Sequence, residues 1–327
     1  MSRGVGDREE ELERFKTELD LAAVAGSLGF ELDRRASSRN CPVLRHTDGT
    51  KIVVGRNPAN GHWVYFNVHD DRDRGSVIDL LGRRRGLNLG QVRQELRRMT
   101  GSPPPRLYDH VVKPVAKDRM AVLAAWEAAE VPVGDCRYLT TTRGIPATVW
   151  ASERFHDRIR IDRYGNVLFP HFGLDEGKGL SVCGFEIKQD NITRFSTGGT
   201  RGLWASQAKA DDCRLALTES AIDAISHCAC RPDTRTRYVS TGGEIGKAQR
   251  ELLVRAMAKM PERSLILLAF DHDAGGDKLI GVVEDLFEQV GRPDLELVEE
   301  RPLALGRDWN AELRAMGKEN QVPPEPS

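Results

Sequence analysis

The sequence predicts an α/β protein. A parallel sheet with helices on both faces is expected over residues 211–318, preceded by an α+β region over 118–210 and a small α+β domain over 11–100. Two observations carry the first part. From Arg214 onward, strand-length apolar runs alternate with helical stretches: 214–218, 221–230, 237–241, 247–260, 264–270, 278–290 and 295–298. Such alternation is the pattern of parallel strands joined by crossover helices. Two of the runs also stop on acid, Leu217-Thr218-Glu219 and Ala269-Phe270-Asp271-His272-Asp273. In an open parallel sheet the ligand lies beyond the carboxyl ends of the strands, so Glu219, Asp271 and Asp273 are expected on one rim.

Carboxylates gathered on one rim repel one another unless a cation lies among them, and magnesium takes oxygen ligands of this kind. Asp223 stands four residues after Glu219, and a helix beginning at once puts both on one face. Glu219, Asp223, Asp271 and Asp273 are therefore the expected ligands of magnesium or manganese. Glu219, Asp271 and Asp273 form the expected catalytic set, with Glu219 open to either of two roles, general acid–base or metal ligand.

Taken in order, residues 1–10 are expected to be disordered and 11–28 to form a helix closed by Gly29. Residues 50–55 and 62–68 read as two strands, joined by a loop containing Asn60-Gly61, a hairpin signal. Residues 75–85 and 88–99 read as helices. Gly101-Ser102-Pro103-Pro104-Pro105 opens a linker over 101–117 that is stiff because of its prolines. Asp118 is placed to cap a helix over 118–129. The run 237–241 ends in Gly242-Gly243, which lets a backbone turn tightly or approach a phosphate. Asp308 is expected to cap a helix over 311–316, and 319–327 are expected to be disordered.

Leu217-Thr218-Glu219-Ser220-Ala221-Ile222-Asp223, the Gly-Gly turn and Phe270-Asp271-His272-Asp273-Ala274-Gly275-Gly276 together resemble the TOPRIM domain, a Rossmann-like parallel sheet shared by bacterial primases, topoisomerases, certain nucleases and a recombination mediator. Upstream, Tyr138-Leu139-Thr140-Thr141-Thr142-Arg143-Gly144, Gly165-Asn166-Val167-Leu168-Phe169-Pro170 and Val182-Cys183-Gly184-Phe185-Glu186 resemble segments of the bacterial primase core. So does the stretch from Phe195 through Arg201 to Trp204, and the resemblance implies a short helix over 148–155 after the first of these segments. They also resemble a domain of unknown function that precedes TOPRIM in proteins of bacterial mobile elements, whose Lys-Asp-Trp-Asn motif is similar to Arg307-Asp308-Trp309-Asn310.

The first hundred residues resemble the zinc-binding domain of the same primases, with Gly75-Ser76-Val77-Ile78-Asp79-Leu80-Leu81 as its characteristic helix. The second cysteine pair of that domain is missing. Cys41, His46, His62 and His69 offer four donors at irregular spacing, so folding without zinc is expected.

The resemblance implies a primase-like nucleotidyltransferase of a plasmid or mobile element. It would make short primers on single-stranded DNA from nucleoside triphosphates, with a separate helicase as partner. A TOPRIM nuclease and a non-catalytic DNA-binding module stay open as alternatives. Arg83, Arg84, Arg143, Arg194, Arg201 and Lys247 are the candidate nucleic-acid contacts, since guanidinium and ammonium groups bind phosphate. Each has a plainer reading as surface charge.

Composition narrows these classes. The chain has 327 residues, 39% hydrophobic and 30% charged, with a net charge of −1, so a nucleic-acid surface must come from local clustering. No apolar run approaches a membrane span, and a cytoplasmic location without membrane contact is expected. Six cysteines without a Cys-x-x-Cys pair do not imply disulfides. Gly242 to Lys247 looks like a phosphate-binding loop, but Thr241 stands where its first glycine belongs and Ala248 where Ser or Thr must follow the lysine.

Overall fold

The computed structural model describes residues 5–58, 60–70, 72–113, 115–175, 179–190 and 192–319. The chain divides into two compact units, Met1–Ala116 and Lys117–Ser327.

The first unit is a five-stranded antiparallel sheet with helices on one face. Its elements are α1 (Val5–Glu18), α2 (Leu21–Ser27), β1 (Glu31–Leu32), β2 (Val43–Arg45), β3 (Lys51–Arg56), β4 (Trp63–Asn67), β5 (Arg74–Gly75), α3 (Val77–Arg85) and α4 (Leu89–Gly101), with the strands in sequence order. The helix expected over 11–28 is two helices, because Asp20 accepts from the amides of Ala22 and Ala23 and starts a new one. Residues 5–10 belong to α1 rather than to a disordered end, while 1–4 lie outside the described residues. Trp63 and Tyr65 point inward from β4 onto Leu80, Leu81 and Val24, following the period-two alternation of a strand.

Two of the candidate zinc donors of this unit, His46 and His62, have other partners. His46 Nδ1 lies 3.0 Å from Asp48, His62 Nε2 lies 2.6 Å from Glu13, and Cys41 is exposed. Arg83 pairs with Asp73 at 3.1 Å. Arg84 pairs with Asp48 at 2.7 Å and stacks its guanidinium over Phe30.

The second unit holds two sheets. It begins with α5 (Arg119–Glu127), capped by Asp118, whose carboxylate accepts from the Ala121 amide at 2.9 Å. A π-helical turn (Tyr138–Thr142) follows, and then α6 (Ala147–Trp150). The helix expected over 148–155 stops at Trp150 and resumes as a 3₁₀ turn, Glu153–Phe155. Strands β6 (Arg160–Ile161), β7 (Val167–Asp175), β8 (Gly179–Gln189) and β9 (Ile192–Phe195) form an antiparallel meander in sequence order.

The second sheet contains β10 (Trp204–Ala205), β11 (Arg214–Thr218), α7 (Ala221–Cys230), β12 (Thr236–Ser240), α8 (Lys247–Ala258), β13 (Leu265–Leu268), α9 (Ala274–Val290), β14 (Glu296–Glu299) and the closing helix α10 (Trp309–Glu319). Its strand order is β10-β12-β11-β13-β14, parallel except for β10. Alternate residues of the central strands face opposite layers. Ala216, Tyr238 and Leu267 pack with α7 and residues 136–169, whereas Leu215, Leu217, Val239, Ile266 and Leu268 pack with α8 and α9. This is the two-faced α/β sheet expected from the apolar runs. The helix expected over 278–290 starts earlier, at Ala274, because Asp273 caps it. Of the tail expected over 319–327, Glu319 ends α10 and 320–327 lie outside the described residues.

Candidate metal centre

Parallel pairing sets the rim. Leu217 stands opposite Leu268, and Thr218 stands opposite Ser240, so the chain leaves the sheet at one level after β11, β12 and β13. Glu219 follows β11 directly, and its backbone carbonyl accepts from the Gly242 amide at 2.8 Å and from Gly243 at 3.3 Å. Both glycines have positive φ, +66° and +105°, a region that favours glycine. The Gly-Gly turn is therefore fastened to the residue that carries the first acid.

Asp223 lies in the first turn of α7, and its side chain is buried. Ser220 caps this helix, and its hydroxyl donates to Asp223 Oδ2 at 2.5 Å. Asp271 follows β13 by three residues, and its Oδ1 is buried without a hydrogen-bond partner. Asp273 Oδ1 accepts from the amides of Gly275 and Gly276, at 2.8 and 2.9 Å. Between the two, His272 is tied by its amide to the Arg307 carbonyl and by its ring to the Pro302 carbonyl.

The charges at this rim act on one another. Burial pushes the Asp271 carboxyl far above the usual carboxylate range, and the charges of Asp223, Glu219, Asp308 and Asp273 push it further. Asp223 is raised too, by burial first and then by Asp308 and Glu219, against the bond from Ser220. Asp308 completes this group. It caps α10 through the Ala311 amide at 2.6 Å, as its sequence context implies, and also stands within electrostatic reach of Asp271 and Asp223. Sequence reasoning favours the cap over a second role, orienting a metal-bound water. The signal for a second role was its place after the fourth strand in Arg307-Asp308-Trp309-Asn310, whose other members anchor the loop. Trp309 donates its indole N–H to the Ala269 carbonyl, and Asn310 bridges the Arg143 carbonyl and the Ser226 hydroxyl.

As placed, no three His, Cys, Asp or Glu side chains among the described residues form a closed metal cage. The donor chemistry nonetheless fits a hard cation. The rim combines several carboxylates, a buried carboxylate oxygen with no donor, and upward pKa shifts, caused by burial and by neighbouring acids, that a bound cation would oppose.

The basic candidates of this unit divide. Arg201 and Lys247 line one open cleft of about 520 Å³ with Gly242, Gly243 and Gly246. Arg201 donates to the Gly242 carbonyl and lies over the Phe195 ring, and Lys247 is exposed at the start of α8. Arg194 is exposed on β9 and does not line this cleft. Arg143 donates to the Tyr138 hydroxyl at 2.9 and 3.0 Å, and its backbone holds Asn310. Arg83 and Arg84 belong to the other unit.

Beneath the cleft lies a buried network that sequence reasoning missed. His171 Nε2 is 3.1 Å from Glu186 Oε1, His171 Nδ1 is 2.8 Å from the Gly202 carbonyl, and Lys188 Nζ is 2.9 Å from Glu186 Oε2. A β-carbon on Gly242 would meet both the His171 ring and Glu186, at 2.7 and 2.8 Å. The network is thus the floor on which the Gly-Gly turn rests.

The family model described as Toprim-like matches residues 216–313. That span runs from within β11 through the rim acids to Asp308 and the first half of α10. The chain carries a Toprim-like domain. Ahead of this domain, a model described as a protein of unknown function (DUF3991) matches residues 137–212. No curated protein matches the sequence. Among solved structures, the chain is similar to the primase fragment of the bacteriophage T7 primase-helicase protein. That likeness has 17% identity and a TM-score of 0.36 over 55% of this chain and 69% of that one. It is also similar to a chain in the structure of bacteriophage T7 lagging-strand DNA polymerase interacting with primase domains of two gp4 subunits bound to an RNA/DNA hybrid and dTTP. There the identity is 18% and the TM-score 0.34, over 55% of this chain and 86% of that one. Among the described residues no helix is long and apolar enough to cross a membrane.

Proposed function

We propose that the Toprim-like domain holds magnesium or manganese on its acidic rim and that the chain is a primase-like nucleotidyltransferase, joining nucleotides into short primers on single-stranded DNA. The observation that carries this reading is the junction of two features at one sheet edge. The acids Glu219, Asp223, Asp271, Asp273 and Asp308 act on one another, and the Gly242-Gly243 cleft with Arg201 and Lys247 is fastened to Glu219 by its backbone.

When bound, the ion would neutralise charge on transferring phosphoryl oxygens. Glu219, Asp223 and Asp271 would hold it. Asp273 serves first as the cap that fixes the loop, leaving Oδ2 clear of the bonds to Gly275 and Gly276. Arg201 and Lys247 would bind phosphates beside the rim, with Arg194 and Arg143 further along the strand path. Arg83 and Arg84, each ion-paired, would contribute weaker phosphate contacts from the first unit. Primer synthesis on duplex templates would need a separate helicase.

Labelled nucleoside triphosphates, single-stranded DNA and magnesium or manganese, read on a gel, test the proposal. Short oligonucleotides are expected, abolished by Asp271→Ala and reduced by Arg201→Ala. Template cleavage without incorporation would replace the proposal with a metal-dependent nuclease. Template binding without either reaction would leave a DNA-binding module.

A further inference from the structure

A second cleft opens away from the acidic rim, between α8, β12, β10 and the β7–β8 hairpin, with a volume of about 500 Å³. Arg158, Arg237, Arg255 and Lys259 line it, together with the apolar side chains of Phe172 and Leu180. No Asp or Glu lines it among the described residues. Arg237 stands opposite Leu215, three residues before Ser240 and five before Gly242, so it lies roughly 16 Å from the Gly-Gly turn at ~3.3 Å per residue. Arg255 and Lys259 occupy the last turn and the C-cap of α8, whose first residue, Lys247, is at the rim.

The floor of this cleft is under-satisfied. Nε of Arg158 and Nε of Arg237 are both buried without a hydrogen-bond partner. The rest of Arg158 is positioned, with its guanidinium 4.8 Å over the Phe172 ring and one nitrogen donating to Gln207 Oε1 at 3.0 Å. Leu174 and Leu180 stand at the mouth 43% and 57% exposed, an apolar lip beside four cations. Gathering like charges in a half-buried cleft whose lining supplies no anion is costly, and guanidinium groups stay charged. Burial disfavours the charge on both Arg158 and Arg237; Asp157 and Asp212 oppose it in part, while Arg237 adds to the effect at Arg158 and Arg154 at Arg237.

We propose that this cleft is a binding site for a nucleoside phosphate, separate from the acidic rim and independent of metal. Its phosphates would lie on Arg158, Arg237, Arg255 and Lys259, and its base against Phe172 and Leu180. The same chemistry is offered by a free nucleotide and by the 5′-phosphorylated end of a strand. The volume falls within the range of small-ligand pockets, and the pairing of an apolar wall with two half-buried and two exposed cations suits an anion that carries a flat ring.

Calorimetric titration of the full chain in EDTA tests this, with ATP, pyrophosphate, and a short oligonucleotide with and without a 5′-phosphate. ATP is expected to bind without metal and to bind equally well to Asp271→Asn/Asp273→Asn. Losing one charge-assisted contact in Arg237→Met should weaken binding about tenfold or more. The surface variant Arg255→Ala/Lys259→Ala, which leaves the core untouched, should weaken it likewise. Pyrophosphate should bind more weakly than ATP. Preference for ATP over the phosphorylated oligonucleotide would identify a free nucleotide as the ligand, and the reverse order a strand end. Metal-free binding lost in the Asp271→Asn/Asp273→Asn variant but kept in both cation variants would overturn the proposal. So would the absence of metal-free binding by every probe.

Discussion

Gly276 approaches Asp271 so closely that a β-carbon on it would lie 2.0 Å from the Asp271 carbonyl oxygen. The contact is with backbone, so no side-chain movement relieves it. Gly276→Ala is expected to cost about 1–3 kcal/mol, as overpacking does elsewhere, and to displace the loop that carries Asp271. Gly281 sits in the same helix with nothing within 4 Å of its β-position. Gly281→Ala should instead stabilise by about 0.5–1 kcal/mol. Urea unfolding of both variants decides the matter, and equal effects would show that the crowding at Gly276 does not constrain the loop.

Asp271→Asn removes charge from the most strongly perturbed acid of the rim. In EDTA the variant should be more stable than the parent chain by about 1–2 kcal/mol, because no carboxylate has to be buried there and repulsion with Asp223, Glu219 and Asp308 is relieved. With magnesium the order should reverse, since ligand-linked stabilisation of the parent chain grows with metal concentration. A thermal shift with magnesium that is the same in both proteins would remove Asp271 from the metal site.

Asn310 is 3% exposed and holds two acceptors, the Arg143 carbonyl and the Ser226 hydroxyl. Asn310→Ala leaves both without their donor in a buried setting, at an expected cost of about 1–3 kcal/mol. Denaturant titration measures it. A loss below the scatter of surface substitutions would mean that water replaces the amide.

Burial alone would raise the Glu186 carboxyl. The bond with His171 and the charge of Lys188 outweigh it and hold the group down at about 2. A carboxyl with a folded pKa below its unfolded value, roughly 4.3, favours folding fully above that unfolded value. The contribution is lost as pH falls from there through about 2. It is of the order of 3 kcal/mol by linkage. Glu186→Gln should therefore lower stability at pH 7 and flatten the acid limb between about pH 5 and 2. An unchanged acid limb would place the network's stabilisation elsewhere.

The rim was legible because strand ends and acids are local features. Glu219, Asp271 and Asp273 follow apolar runs of strand length, and parallel pairing then brings them to one level. Helix starts were less legible where one residue has two uses. Asp273 reads as a metal acid yet also caps α9, and Asp20 splits what periodicity alone reads as one helix. The His171–Glu186–Lys188 network was illegible for a different reason. Its members come from two neighbouring strands, and its purpose lies under a turn about seventy residues later in the chain. No spacing within a segment announces such a contact. The first unit's short strands β1, β2 and β5 were missed because runs of two or three residues carry no usable period.

The edge strand β10 has a consequence for modularity. Trp204 and Ala205 lie within the segment that matches the family of unknown function, yet they pair antiparallel with Val239 and Ser240 of the Toprim-like sheet. Trp204 is fully buried among residues from both segments. Excising the sheet at its family boundary would strip one edge bare and open a hole the size of an indole in the core. The two segments are therefore one folding unit. Recombination that joined this Toprim-like sheet to a different upstream neighbour would have to import a replacement for that strand, or leave a naked edge free to pair with other chains.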